Sequence, residues 1–291
     1  MKERLGWIDF GRALAIFLVV VFHVAYQFTR DENLRIVGFL GVSLFFIISG
    51  FMLSTKYPKL RSFDLKWFFK RYVKVASIYY LAIIAIVILF ANQSYQQGIY
   101  DILLHFLFLN WLDPSTQYTL ISPSWFLIPL MALYLAYPYL NKLIRKSEWF
   151  VVVAFIITII YGIQENSPLT SFSLLFFLAQ FCFGMASAQG IGKIMIIGPL
   201  LMAIYNPLLA IPYIVFWIIY LSKIPPIGSI TLISKHTIEI FLFHEAIMNV
   251  CIGKWNVYGL EMPYSLLITI SCFLVATLIA SRLQKLVITI L

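Results

Sequence analysis

The sequence predicts an all-α, polytopic integral membrane protein with about ten transmembrane helices and both termini in the cytoplasm. The first observation behind this fold class is composition, since 62% of the 291 residues are hydrophobic and 11% are charged. Soluble domains average about 45–50% apolar and about 25% charged residues, because their outer surface must face water. The second observation is that long apolar stretches alternate with short basic gaps along the chain. The chain is therefore suited to a lipid environment.

A membrane-spanning helix needs about 20 mostly apolar residues, with a range of about 17–25 when flanking residues are counted. A further apolar stretch at 99–111 is only about 13 residues long, which indicates a re-entrant or interfacial segment. We also expect Pro212 to kink its helix. In chain order, the predicted spans are 9–28, 36–54, 74–91, 123–140, 148–163, 170–188, 193–206, 207–222, 236–253 and 263–284.

The basic residues orient these helices. The gap 55–74 contains seven basic residues and one acidic residue, so the positive-inside rule places it in the cytoplasm together with the N-terminus. The gap 141–148 is also basic and therefore cytoplasmic, whereas 92–122 contains no Lys or Arg and is expected on the outer side. Residues 1–291 then form a single transmembrane domain, in which we find no internal repeat.

Composition and spacing also exclude other classes of protein. The net charge of +9 does not indicate nucleic-acid binding, because the basic residues lie in short gaps between apolar stretches. The three cysteines (Cys182, Cys251 and Cys272) lie within apolar stretches at no metal-ligand spacing. We therefore expect neither a metal site nor a disulfide framework.

The first predicted helix contains three ionisable residues. Such residues cost about 2.5–3.5 kcal/mol each inside a membrane helix and are functional candidates by default. Arg12 and His23 are eleven residues apart, so they share a helix face about 16 Å apart along the axis. Asp9 lies three residues before Arg12 and can pair with it on that face. His23 is suited to accept a proton near neutral pH. The alternatives are an interfacial salt bridge for Asp9 and Arg12 and a structural hydrogen bond for His23.

Two further groups stand out in the next two helices. Ser49 and Gly50 near the end of the second helix would let another backbone approach closely. Lys70, Arg71 and Lys74 begin the third helix, where Arg71 and Lys74 share one face at the cytoplasmic boundary. Such a basic pair can hold phosphate groups or anchor the helix to anionic membrane lipid.

These segments resemble the acyltransferase-3 family, whose members are membrane proteins of about ten helices that O-acylate glycans and other cell-surface molecules. Lys74 stands where the family usually has Arg, which weakens the bidentate grip on phosphate. Ser77 stands where a Pro commonly follows. The resemblance is carried by Asp9-x-x-Arg12 with His23 after ten intervening residues, by Phe45-Phe46-x-x-Ser49-Gly50-Phe51, by Arg71-x-x-Lys74, and more weakly by Trp125-Phe126-Leu127 and Leu242-x-His244.

The resemblance implies a membrane-bound O-acyltransferase of the plasma membrane that uses cytoplasmic acyl-CoA, expected to be acetyl-CoA, as co-substrate and binds no resident cofactor. The acceptor would be a hydroxyl group of a glycan, a lipid-linked saccharide or another cell-surface molecule. The implied roles are CoA binding for Lys70, Arg71 and Lys74; a catalytic role for Arg12, which, braced by Asp9, would line the donor path or polarise the thioester carbonyl; general base or transient acyl carrier for His23; and acceptor binding for Ser49, Trp125, His244 and Glu245.

Two other functions use the same residues. A transporter or flippase of a glycolipid or small anion would also need a buried Arg and a proton-carrying His. Against it, the two halves of the sequence show no inverted repeat and no matching pair of broken helices. A non-catalytic assembly partner in polysaccharide export is the third possibility, and such a protein has little need of His23. His105, Asn110 and Trp111, on the predicted outer side, are further candidates to cap an acceptor site.

Overall fold

The structure is a computed structural model that describes residues 5–90, 98–113, 115–164 and 174–252, together with separate positions between 261 and 282. Every regular element within these ranges is a helix, which confirms the all-α prediction. The predicted span 263–284 lies outside the continuously described ranges.

The observed α-helices follow the predicted order closely. Two differences concern the later part of the chain: α10 was not predicted, and a 3-10 turn at Ser122–Phe126 precedes α5. The helices are α1 (Gly6–Thr29), α2 (Arg35–Lys56), α3 (Leu65–Phe90), α4 (Ile99–Phe106), α5 (Leu127–Lys146), α6 (Trp149–Gln164), α7 (Leu174–Ala188), α8 (Gly192–Tyr205), α9 (Pro207–Ser222), α10 (Gly228–Lys235) and α11 (Thr237–Cys251).

Four of these segments are long and apolar enough to cross a membrane, namely Gly6–Thr29, Glu32–Lys56, Leu65–Ile88 and Ser122–Lys146. Four shorter apolar helices follow, at Trp149–Gln164, Leu174–Ala188, Met195–Tyr205 and Pro207–Ser222. A helix of 16 residues is about 24 Å long, less than the hydrocarbon thickness of about 30 Å, so these would need flanking residues to cross. The helices indicate a multi-pass membrane protein, while the count of about ten and the cytoplasmic termini stay predictions.

The chain divides into two compact units. The first comprises Met1–Tyr26, Asp31–Phe68 and Pro129–Lys235, and the second comprises Gln27–Arg30, Phe69–Ile128 and His236–Leu291. The prediction of one transmembrane domain over 1–291 stays a prediction.

In the first unit, α1 and α2 pack closely through glycine. A Cβ atom added to Gly41 of α2 would lie 2.5 Å from the carbonyl oxygen of Ala15 in α1. A Cβ atom on Gly38 would lie 2.6 Å from the Phe22 ring. The chain therefore needs glycine at these positions because side chains would separate the two helices.

The contact between α2 and α7 is closer still. A Cβ atom on Gly50 would lie 2.1 Å from the Phe181 carbonyl oxygen, and one on Gly184 would lie 1.9 Å from the Ile47 carbonyl oxygen. The Phe46 and Phe177 rings stack beside them with centroids 4.3 Å apart. The expectation that Gly50 admits another backbone is thus confirmed. The Phe39 and Phe176 rings, near the start of each helix, have centroids 5.6 Å apart, and Gln189 just after α7 donates a hydrogen bond to Ser54 near the end of α2, so the two helices run in the same direction.

The second unit contains α3 from Phe69 onward, α4, the 3-10 turn and α11. The ring centroids of Phe126 in the 3-10 turn and Phe241 in α11 are 4.7 Å apart, which joins these two elements. Tyr80 of α3 stacks on Phe106 of α4 with centroids 5.1 Å apart. At eight residues, α4 is too short to span a membrane, in agreement with the expectation for 99–111.

Candidate active site

The ionisable residues of α1 form one stripe along the helix. Asp9, Arg12, Ile16, Val19 and His23 lie within about 80° of arc around the axis, because each residue advances about 100°. We call these five residues the α1 stripe. Ile16 and Val19 are almost completely buried, so the stripe faces protein at its centre. The predicted sharing of one face by Arg12 and His23 therefore agrees with the observed continuous helix.

The opposite side of α1 carries its exposed apolar residues. Phe17, Val21 and Phe28 are exposed and lie about 140° around the helix from the α1 stripe. Arg12 and His23 are both half-buried. His23 therefore lies on the side of α1 opposite to its exposed apolar residues, which is the side suited to lipid.

Asp9 is buried and connects α1 to α10. Its Oδ1 atom accepts a hydrogen bond of 2.8 Å from the Ser234 hydroxyl, and its Oδ2 atom accepts one of 3.1 Å from the Thr231 hydroxyl. Thr231 and Ser234 are one helical turn apart, so both hydroxyls reach the same carboxylate. These two donors fix the N-terminal end of the α1 stripe. Sequence spacing pointed only to Arg12 as a partner, because residues 222 and 225 positions away leave no local signal.

Ser49 lies in the first unit beside the close α2–α7 contact. It is half-buried, and its neighbour Gly50 provides the close backbone approach described above. The proposed role of Ser49 in acceptor binding stays a prediction.

The basic group lies near the start of the second unit. Arg71 is half-buried, whereas Lys70 and Lys74 are exposed. Arg71 and Lys74 are three residues apart in the continuous helix α3, so they share a face as predicted. An exposed cation beside a half-buried guanidinium can meet phosphate groups from solvent.

Trp125, His244 and Glu245 belong to two elements of the second unit that pack together. Trp125 is half-buried in the 3-10 turn. The Nδ1 atom of His244 is 2.7 Å from the Phe241 carbonyl oxygen, so this nitrogen carries the proton of the neutral ring. The Glu245 carboxyl group lies within hydrogen-bonding reach of the Ser122 hydroxyl in the 3-10 turn. His244 and Glu245 thus have different partners, as expected for adjacent residues about 100° apart.

A buried polar network surrounds His105 in the same unit. The Tyr79 hydroxyl is 2.8 Å from His105 Nδ1, and the Thr119 hydroxyl donates to Asp101 Oδ1 over 2.7 Å. Asp101 also lies 3.7 Å from His105 Nε2. Burial lowers the pKa of His105, and the Asp101 carboxylate partly opposes that shift. The sequence pointed to His105 but missed Tyr79 and Thr119, because they lie in other segments at no helical spacing from it. It also missed Asp101, although Asp101 lies four residues before His105 on the same helix.

Four helices of transmembrane length define a multi-pass membrane protein, and its first helix carries ionisable residues on the side opposite to its exposed apolar residues. The profile of the acyltransferase domain of the acyltransferase-3 family matches residues 5–189, more than half of the chain. The chain belongs to the acyltransferase-3 family. Of the candidate residues, only His244 and Glu245 lie outside the matched range.

One characterised relative is similar over a short region. The chain is 31% identical over 86 residues to the peptidoglycan O-acetyltransferase OatA of Listeria monocytogenes. This similarity covers 28% of the chain and 13% of the relative's length. No solved structure matches the chain significantly.

Proposed function

We propose that this protein is a membrane-bound O-acyltransferase of the plasma membrane that moves an acyl group, expected to be acetyl, from cytoplasmic acyl-CoA to a hydroxyl group of a glycan or other cell-surface acceptor. The observation that carries the proposal is the α1 stripe, which puts Asp9, Arg12 and His23 on one side of a membrane-length helix, away from its exposed apolar side. Membership of the acyltransferase-3 family supports acyl transfer. The short similarity to a protein named as a peptidoglycan O-acetyltransferase supports a glycan acceptor.

The chemistry requires a group that takes the proton of the acceptor hydroxyl. In our proposal His23 takes this proton as the acceptor oxygen attacks the thioester carbonyl carbon. The carbon–sulfur bond then breaks, and the proton passes to the leaving thiolate of CoA. If His23 instead carries the acyl group, the thioester first acylates its ring nitrogen and the acceptor attacks second. Both routes give the same products, and both require the imidazole.

Arg12 has a matching role on the path of the donor. It lies about 16 Å along the helix axis from His23, so its guanidinium would line the path of acyl-CoA and meet the negatively charged groups of that molecule. Asp9 is a positioning residue, because its carboxylate is held by Thr231 and Ser234 at the same end of the helix. The α1 stripe would thus supply both the base and a cation on the donor path from one helix.

The basic group of α3 is the proposed binding site for the CoA phosphates. Arg71 can form paired charge-assisted hydrogen bonds to phosphate, while Lys74 contributes a point charge. We expect Arg71→Ala to raise the KM for acetyl-CoA by about tenfold, since one charge-assisted hydrogen bond is worth about 1.5–3 kcal/mol. Lys66→Ala is the matched control, because Lys66 is an exposed cation of the same cytoplasmic gap. Equal KM values for the two variants would remove α3 from the donor site.

The activity itself is tested with the full chain in liposomes, radiolabelled acetyl-CoA and a panel of glycan acceptors. The proposal predicts CoA release that depends on the acceptor, with the label recovered on the glycan. Movement of a glycolipid or small anion across the liposome membrane without CoA release would contradict it and favour a transporter.

A further inference from the structure

We propose that Ser234 and Thr231 of α10 are positioning residues for the donor path, because they hold the Asp9 carboxylate and Asp9 in turn holds the Arg12 guanidinium. This inference rests on the proposed function for the role of Arg12 towards acyl-CoA. It gives a role in acyl transfer to a helix that lies outside the matched family range 5–189.

The first step is the contact between α10 and Asp9. The Ser234 hydroxyl donates to Asp9 Oδ1 over 2.8 Å, and the Thr231 hydroxyl donates to Oδ2 over 3.1 Å. Asp9 is 5% exposed and Ser234 is 0% exposed, so water is excluded from the shorter of these two hydrogen bonds. Each carboxylate oxygen thus has its own donor. Two donors on two different oxygens fix both the position of the carboxylate and the rotation of its plane.

The second step is that packing holds α10 against the start of α1. A Cβ atom on Gly6 would lie 2.3 Å from the Pro225 carbonyl carbon and from the Pro226 nitrogen, so α1 begins directly on the segment that leads into α10. The two prolines restrict the φ angles of that segment. On α9, the Tyr220 ring packs edge-on against Trp7 with centroids 5.2 Å apart. The two hydroxyls are therefore brought to the carboxylate by a closely packed backbone.

The third step concerns charge. An ionised carboxylate has about four sites that accept hydrogen bonds, and neutral hydroxyls orient it without cancelling its negative charge. A cationic partner from α10 would instead compete with Arg12 for that charge. Arg12 follows Asp9 by three residues on the same helix face, the spacing at which opposite charges pair. The orientation of the carboxylate therefore sets where the guanidinium lies along the donor path.

A purely structural role for the same contact predicts a different result. If Ser234 and Thr231 only join α10 to α1, their loss would lower the yield or the thermal midpoint and leave the KM for acetyl-CoA unchanged. If they position Arg12, their loss raises the KM for acetyl-CoA and leaves the KM for the glycan acceptor unchanged. The KM for the donor thus separates positioning from packing.

The experiment measures, with the purified full chain, the KM for acetyl-CoA and the Kd for desulfo-CoA, which binds without transferring an acyl group. The combined changes Thr231→Val and Ser234→Ala should raise both constants at least about tenfold, the effect of losing hydrogen bonds to a charged group. Thr231→Ser keeps a hydroxyl and should keep the parent values. Ser229→Ala is the matched control, because Ser229 is an exposed serine about 140° around α10 from Ser234.

A double-mutant cycle tests whether the effect passes through Asp9. In an Asp9→Ala background, Thr231→Val and Ser234→Ala should raise neither constant further, because the carboxylate that they hold is gone. Additive effects would overturn the inference. If Asp9→Ala does not fold, the comparison of Thr231→Val with Thr231→Ser still decides the question, since equal constants for these two variants would also overturn it.

Arg12→Ala separates this inference from the proposed function. If Arg12→Ala weakens binding of desulfo-CoA while the double variant of α10 binds like Ser229→Ala, the inference is overturned and the proposed function stands. If Arg12→Ala binds desulfo-CoA and acetyl-CoA like the parent protein, the donor role of Arg12 in the proposed function fails together with this inference.

Discussion

Helices α1, α2 and α7 pack through close glycine contacts, whereas the segment 98–126 is held by hydrogen bonds between buried side chains. At Gly41, Gly50 and Gly184 a helix backbone passes so close that a Cβ atom would not fit. In the 98–126 segment, His105 instead has polar partners on both ring nitrogens. Packing of α1, α2 and α7 therefore depends on the shape of the helix surfaces, whereas packing of the 98–126 segment depends on matched hydrogen-bond donors and acceptors.

The two regions differ in whether their polar side chains also form the packing contacts. Among the described residues, the close approaches at Gly41, Gly50 and Gly184 are made to Ala15, Ile47 and Phe181 rather than to the ionisable side chains of α1. In the 98–126 segment, hydrogen-bonded polar side chains fill the buried interior. Among its described residues, the buried oxygens Asp101 Oδ2 and Asn110 Oδ1 have no hydrogen-bond partner. We therefore expect substitutions in the two regions to affect folding and activity in different proportions.

The largest expected effect is on folding of the first region. Gly184→Leu would place a Cβ atom 1.9 Å from the Ile47 carbonyl oxygen, so α2 and α7 would have to separate. We expect a loss of at least about 3 kcal/mol, because overpacking against backbone cannot relax by rotamer changes. Yield of monodisperse protein and its thermal midpoint measure this. Gly192→Leu is the control, since no neighbouring atom lies within 4 Å of its Cβ position. Equal yields and equal thermal midpoints for the two variants would refute the close contact between α2 and α7.

A smaller effect is expected in the second region. His105 Nε2 faces the Thr116 carbonyl oxygen and so carries the ring proton of the neutral imidazole, and Nδ1 accepts from the Tyr79 hydroxyl. Tyr79→Phe removes that hydroxyl and leaves this buried nitrogen without its donor. The expected loss of stability is about 1–3 kcal/mol. Tyr100→Phe removes a hydroxyl from an exposed residue of the same unit and should have no measurable effect. Identical unfolding free energies for both variants would show that the network does not hold this segment.

The smallest expected effect is a dependence of stability on pH. Burial lowers the pKa of His105 in the folded protein, so the unfolded chain binds the proton more readily. Stability from this residue is present above the unfolded pKa of about 6.5 and is lost as pH falls from there through the lowered folded value. The thermal midpoint should decrease less steeply on acidification in His105→Gln than in the parent protein. Parallel curves would show that His105 does not titrate on unfolding.

Much of the fold could be predicted because hydrophobic length and basic gaps are local signals. They predicted the order of α1 to α9 and the short α4, and the helical period predicted the shared face of Arg12 and His23. Helix α10 was missed because its eight residues are only moderately apolar. The hydroxyl donors to Asp9 and the partners of His105 were also missed, since they depend on contacts between elements far apart in sequence.

The central claim is that the imidazole on the α1 stripe carries out the transfer. The most direct measurement is the rate of acetyl transfer from radiolabelled acetyl-CoA to the glycan acceptor by His23→Ala and by Val21→Ala. Val21 lies two residues away on the exposed side of the same helix. We predict that His23→Ala lowers the rate by at least about a hundredfold at unchanged yield, the usual contribution of a general base, while Val21→Ala keeps the parent rate. Equal rates for both variants would contradict the account.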